Sequence, residues 1–189
     1  MAHAGKVIEH PITGERITFL TTAGDTGGQL LRLDLHVSPH GFVAGAHVHP
    51  GQEERFEVRS GRISLNERGS QRVVSPGEVV NVPAGTTHAW GNPFDEPADI
   101  TVEFRPALDT EAFFENFFGL AKDGRVDPKS GMPQGLQLMA LGREFRHEMA
   151  LPPPIGPVLS VVAAVIAPIA RLLGYRGRYK RYSEPPKAD

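Results

Sequence analysis

The sequence predicts a mainly β fold, a sandwich or jelly-roll barrel, with a helical C-terminal extension. Three observations carry this reading. First, Leu31, Leu33, Leu35 and Val37 alternate with Arg32, Asp34 and His36, the period of two of a strand with one buried face. Second, Gly, Pro, Asn and Ser interrupt such segments at short intervals as far as Arg105-Pro106, the spacing of many short strands joined by turns. Third, beyond that point apolar residues recur at steps of three and four, the period of helices.

The elements follow in order. Ile12-Thr13-Gly14-Glu15 is a turn signal, and residues 16–22 alternate with Ile17, Phe19 and Thr21 on one face. After residues 31–37, further strands are expected near 54–58, 62–66, 72–74, 78–82 and 99–104. Gly69-Ser70, Ser75-Pro76-Gly77 and Pro83-Ala84-Gly85 are the turns between them. Asp109 or Thr110 is placed to cap a first helix, with Glu111 in its first turn and Gly124 at its end. Phe113, Phe114, Phe117 and Phe118 give this helix a wide apolar face. A second helix carries Leu138, Leu141, Phe145 and Met149 and is broken by Pro152-Pro153-Pro154. Residues 155–173 form a third, mostly apolar helix, kinked at Pro168. The chain is therefore expected to divide into a barrel, residues 1–106, and a helical extension, residues 107–189, with a basic, Pro-rich tail.

Composition bounds the function. The 189 residues carry a formal charge of only −2, with 40% hydrophobic and 22% charged residues, so no nucleic-acid partner is expected. With no cysteine, disulfides, thiolate metal sites and cysteine nucleophiles are excluded. The first ten residues lack a long apolar run, so a cytoplasmic location is expected.

The chemistry concentrates in "GFVAGAHVHPGQEERFEVRSG", residues 41–61. His47 and His49 share parity, so on a strand both imidazoles point to one face. A carboxylate completes a metal-binding set, and both Glu53 and Glu54 are in range. Phe56 and Val58 mark the even positions as inward, which selects Glu54 and sends Glu53 outward with Arg55 and Glu57. A second stretch, "GEVVNVPAGTTHAWGN" at residues 77–92, places His88 after a tight Pro83–Gly85 turn. Trp90 shares the parity of His88 and either lines the site or packs in the core. Asn92 reads as a turn tie. The remaining histidines read as surface or terminal residues, His36 facing outward from its strand.

Together the two stretches resemble the two conserved motifs of the cupin superfamily. Gly41, His47, His49, Glu54 and Gly61 fit the first, and Gly77, Pro83, Gly85, His88 and Asn92 fit the second. The resemblance covers residues 12–106, about half the chain. It implies a double-stranded β-helix (jelly-roll) barrel holding one divalent transition metal per chain (Mn, Fe, Co, Ni, Cu or Zn) on His47, His49, Glu54 and His88. An N₃O donor set suits any of these ions. Residues 110–124 are loosely similar to the aromatic helix that follows the barrel in quercetinase-like dioxygenases. That likeness implies an oxygenase acting on a small aromatic or enol-like molecule, with Glu54 also serving as a catalytic base. The competing reading is a non-catalytic small-molecule binder or sensor.

The C-terminal apolar segment allows two further readings. Residues 151–170 carry no charge and are followed by Arg171, Arg176, Arg178, Lys180 and Arg181, a pattern that also marks membrane segments. The prolines within it favour instead a helix buried on its own barrel or on a second subunit, its alanines permitting close approach. A homodimer is expected.

Overall fold

The structure, a computed structural model, describes residues 1–183. Ten strands form two antiparallel sheets. In chain order they are β1 (Val7–Glu9), β2 (Arg16–Thr21), β3 (Leu31–Val37), β4 (Phe42–His47), β5 (Glu53–Ser60), β6 (Ile63–Glu67), β7 (Ser70–Val74), β8 (Val79–Val82), β9 (His88–Gly91) and β10 (Ala98–Arg105). The larger sheet runs β1-β2-β3-β10-β5-β8 and the smaller β4-β9-β6-β7. Consecutive strands thus alternate between sheets from β3 to β6 and again from β7 to β10, as a jelly roll requires. The mainly β fold with helices after it matches the expectation.

The period of two becomes burial directly. Leu31, Leu33, Leu35 and Val37 are buried, as are Glu54, Phe56 and Val58, while Glu53, Arg55 and Glu57 stay partly exposed. Phe19, Phe56, Ile63, Leu65 and Ile100 close the space between the sheets. Trp90 belongs to this core and packs edge-to-face on Phe56, ring centroids 5.2 Å apart. Of its two readings, core packing holds. Gly61 turns β5 into β6 with φ at 67°, and a Cβ there would come within 2.1 Å of the Pro97 carbonyl; only glycine meets both demands.

Four helices follow: α1 (Thr110–Lys122), α2 (Gly135–Glu144), α3 (Ile155–Leu172) and α4 (Lys180–Ser183). Asp109 is the N-cap of α1 by position, but its carboxylate makes no cap bond and instead pairs with Arg178 at 2.5 Å. At the other end Gly124, φ 65°, donates to the Ala121 carbonyl, and Arg125 to that of Leu120. This pair of hydrogen bonds is the Schellman stop that the glycine predicted. The phenylalanines of α1 join the two parts of the chain. Phe118 lies in the barrel core with Phe114 and Phe117 against it, and Phe113 and Phe117 pack on the cluster of Leu141 and Phe145.

Two helical expectations need correction. α2 ends at Glu144, before the prolines, and Phe145 takes the C-cap position; Met149 lies in the segment beyond it and Leu138 is exposed. α3 runs through Pro168 without interruption. It does not bury its large aliphatic residues on the barrel. Gly156, Ala163, Ala167 and Ala170 are its buried positions, and it packs on α2. Small side chains let the two helix backbones approach, so the alanine face is covered and the valines and isoleucines are left outside.

Candidate metal centre

The strand pairing places the four candidate side chains together between the sheets. His47, last in β4, lies directly opposite His88, first in β9. Glu54 in β5 pairs with Val82 of β8 on one side and Phe104 of β10 on the other. His49 follows β4 in an irregular stretch held from two directions. Gly85, in left-handed backbone at φ 74°, donates to the His49 carbonyl at 2.9 Å. Val48 exchanges two backbone hydrogen bonds, 2.8 and 2.9 Å, with Ala150. The ligand-type atoms of His47, His49, Glu54 and His88 all lie within 4.8 Å of one another, and all four residues are buried.

The ring orientations are set by backbone carbonyls. His47 Nδ1 lies 2.8 Å from the Gly45 oxygen, His88 Nδ1 3.0 Å from that of Thr86, and His49 Nδ1 against that of Glu148. A carbonyl can only accept, so each Nδ1 carries the proton. In a neutral imidazole that leaves Nε2 with a bare lone pair. Three Nε2 atoms, each able to offer a lone pair once unprotonated, meet one carboxylate, the arrangement that metal-binding histidines adopt with their second nitrogen fixed by an outer partner.

The charges point the same way. Burial by itself would raise the Glu54 carboxyl, but the His49 and His88 imidazoles hold it well below the usual carboxylate range. Burial pushes His47 down to about 4 against the pull of Glu54, with His88 and His49 adding to the depression. Burial also opposes charge on His49, yet Glu54 and the Glu148 carbonyl raise it. His88 Nε2 is 2.8 Å from Glu54 Oε2. His49 Nε2 is 3.2 Å from the same oxygen but out of line, and makes no hydrogen bond. One carboxylate oxygen is therefore asked to serve two imidazoles and satisfies one. A divalent cation amid the three Nε2 atoms would give the orphaned nitrogen a partner and supply the positive charge that Glu54 now draws from a proton. The residues fit a metal ion.

A family model described as a cupin domain matches residues 33–104. This segment is a cupin domain. Outside it, the helices have no part in that match. Among curated proteins, the chain is 28% identical over 85 residues to an oxidoreductase of Arthrobotrys oligospora, covering 41% of this chain and 34% of that one. It is 27% identical over 82 residues to the quercetin 2,3-dioxygenase of Bacillus subtilis, covering 43% of this chain and 24% of that one. The chain thus spans about a third and a quarter of these two relatives. A predicted oxalate decarboxylase of Thermotoga maritima, known as a crystal structure, is 17% identical with a TM-score of 0.48, covering 55% of this chain and 92% of that one.

Around the cupin site, Asn92 ties the β9–β10 turn: its amide donates to the Ser38 and Glu96 carbonyls and its oxygen accepts from Phe94 N–H. His36 faces outward and pairs with Asp99 at 2.8 Å. Glu103 sits on the far side of β10, ion-paired with Arg105 at 2.6 Å. His10, read as a terminal residue, is fully buried against Phe117 and Phe118 with Nε2 near the Gly131 carbonyl. The sequence reading missed the segment around Glu148 and Ala150, which closes over His49. No side-chain signal marks it, because it acts through its backbone.

Proposed function

We propose that the chain is a metal-dependent cupin of the oxygenase type, acting on a small aromatic or enol-like molecule. His47, His49, Glu54 and His88 would hold one divalent transition metal per chain. The observation that carries this reading is the triple anchoring of Nδ1 to backbone carbonyls, which turns three Nε2 atoms toward one carboxylate. Such an ion supplies Lewis acidity toward a substrate oxygen and open positions for O₂. As ligands the imidazoles would bind through neutral Nε2, oriented by their Nδ1 bonds. Glu54, ionised at neutral pH, balances charge and is the proton acceptor nearest the ion. Its lowered pKa makes it a weak base while the imidazoles face it, so proton removal by Glu54 requires a substrate already acidified. The oxidoreductase and dioxygenase relatives support an oxidative reaction on a small organic molecule.

The test is oxygen uptake by protein reconstituted separately with Mn, Fe, Co, Ni, Cu and Zn and offered flavonols, catechols and enols. Metal-dependent uptake that His88→Ala abolishes supports the proposal. One observation favours the second reading, a binder that transforms nothing: all four candidate ligands are at most 4% exposed, beneath the 148–150 segment. Calorimetric binding of such molecules without oxygen uptake would select it.

A further inference from the structure

We propose that the outer face of α3 is the seam through which two copies of this chain associate. The inference is independent of the metal site. It begins with a face the fold leaves uncovered. Ile155, Val158, Val165, Ile169 and Leu172 are each more than half exposed, Leu172 at 88%, and Val162 is partly exposed. A contiguous apolar stripe of this kind marks an interaction surface.

Three occupants are conceivable: the bilayer interior, a bilayer surface and a second copy. α3 is long and apolar enough to cross a membrane, but a crossing helix needs its two flanks on opposite sides. Here both flanks are tied to one body. Ala150, before α3, is bridged to Val48 of the barrel. After it, the Arg176 carbonyl accepts from Gln137 of α2 at 2.7 Å, and Tyr179 N–H donates to Asn116 of α1 at 2.6 Å. Gly177 lies so close to α2 that a Cβ would come within 2.5 Å of the Ala140 carbonyl. The helix lies along the body and does not leave it.

Charge decides against a bilayer surface. Interfacial helices draw affinity from cations offered to anionic headgroups. Arg171 pairs with Glu144, Arg178 with Asp109 and Glu144, and Arg181 with Asp123. These basic residues are already neutralised by the chain's own carboxylates.

Spacing favours a second helix. Residues 155, 158, 162, 165, 169 and 172 advance by three, four, three, four and three. This is the seven-residue repeat of a helix–helix seam, with Ile155, Val162 and Ile169 at one core position and Val158, Val165 and Leu172 at the other. The buried alanines lie on the opposite side, against α2, so the seam is free to meet its equivalent across a two-fold axis. A standard interface covers about 800 Å² per partner, and six or more large exposed aliphatics supply apolar area of that order.

Sedimentation equilibrium of the full-length chain tests the proposal, with Val165→Glu on the seam and Ser160→Glu at an exposed position away from it. We expect a dimer whose dissociation constant rises at least about thirtyfold in V165E and is unchanged in S160E. Because the chain has no cysteine, V165C offers a second readout that does not depend on destabilising the helix: mild oxidation should link V165C chains in pairs, and S160C chains should stay single. A chain that is monomeric at tens of micromolar (~10⁻⁵ M) overturns the proposal. So does a dimer in which V165C fails to cross-link while V165E associates normally. Flotation of the monomeric chain with phosphatidylcholine–phosphatidylglycerol vesicles, lost in V165E, would overturn it in favour of a lipid surface.

Discussion

His49 Nδ1 donates to the backbone carbonyl of Glu148, a residue 99 positions further along the chain. One of the four candidate metal ligands is thus oriented by the helical extension and not by the barrel. Ala150 locks the contact by exchanging both backbone hydrogen bonds with Val48. Removing the Ala150 N–H by Ala150→Pro should loosen His49 and weaken metal affinity by roughly ten- to a hundredfold, the usual cost of losing an outer partner. Competition with a chelating dye measures it. Unchanged affinity would show that the barrel alone orients His49.

Metal content itself separates the candidate ligands. His88→Ala and Glu54→Gln should each lower bound metal per chain, read by elemental analysis, whereas Glu53→Gln should leave it unaltered. Glu54 is buried among the imidazoles and Glu53 is partly exposed on the other face of β5. The reverse pattern would mean the strand parity was misread.

Glu15 predicts a pH dependence of stability. It is 4% exposed, and burial pushes its carboxyl up to about 7, against a smaller lowering by the Thr13 hydroxyl. In the unfolded chain a glutamate titrates near 4.3. Between these values the folded state keeps a proton that the unfolded state has lost, so stability falls as pH rises through this window and levels off above about 7. The full effect is on the order of 3–4 kcal/mol. Glu15→Gln keeps an oxygen for Thr13 and removes the titration. Its melting temperature should exceed that of the unaltered protein at pH 8 and approach it at pH 5. Parallel melting curves across that range would refute the assignment.

Phe118 couples the helices to the barrel. It is 3% exposed within the barrel core, so Phe118→Ala should cost about 3–5 kcal/mol in urea unfolding. A chain ending at Pro106 should melt lower still, because Phe114, Phe117 and Phe118 no longer cover the core. A truncated chain with an unaltered melting temperature would show that the extension is only appended.

The barrel and its site were legible because their information is local. Alternation in residues 31–37 and 54–58 states which side chains face inward, and the turn glycines state where strands end. Even the choice of Glu54 over Glu53 follows from counting by two, since a pleated strand turns every second residue to the same side. The helices were legible as elements but not as packing. In α3 the sequence shows both a large aliphatic face and a small-residue face, and hydrophobicity alone points to the former as the buried one.

The sequence by itself determined the strand parity, the positions of the turns and the residue types able to bind a metal, because each depends on neighbours within a few positions. Only the tertiary structure decided that Trp90 is core, that His10 is buried, that Ala163, Ala167 and Ala170 meet α2, and that Glu148 orients His49. Those outcomes depend on which distant backbones can approach one another. Close approach rewards small side chains and backbone carbonyls, which leave no pattern of hydrophobicity or charge to read.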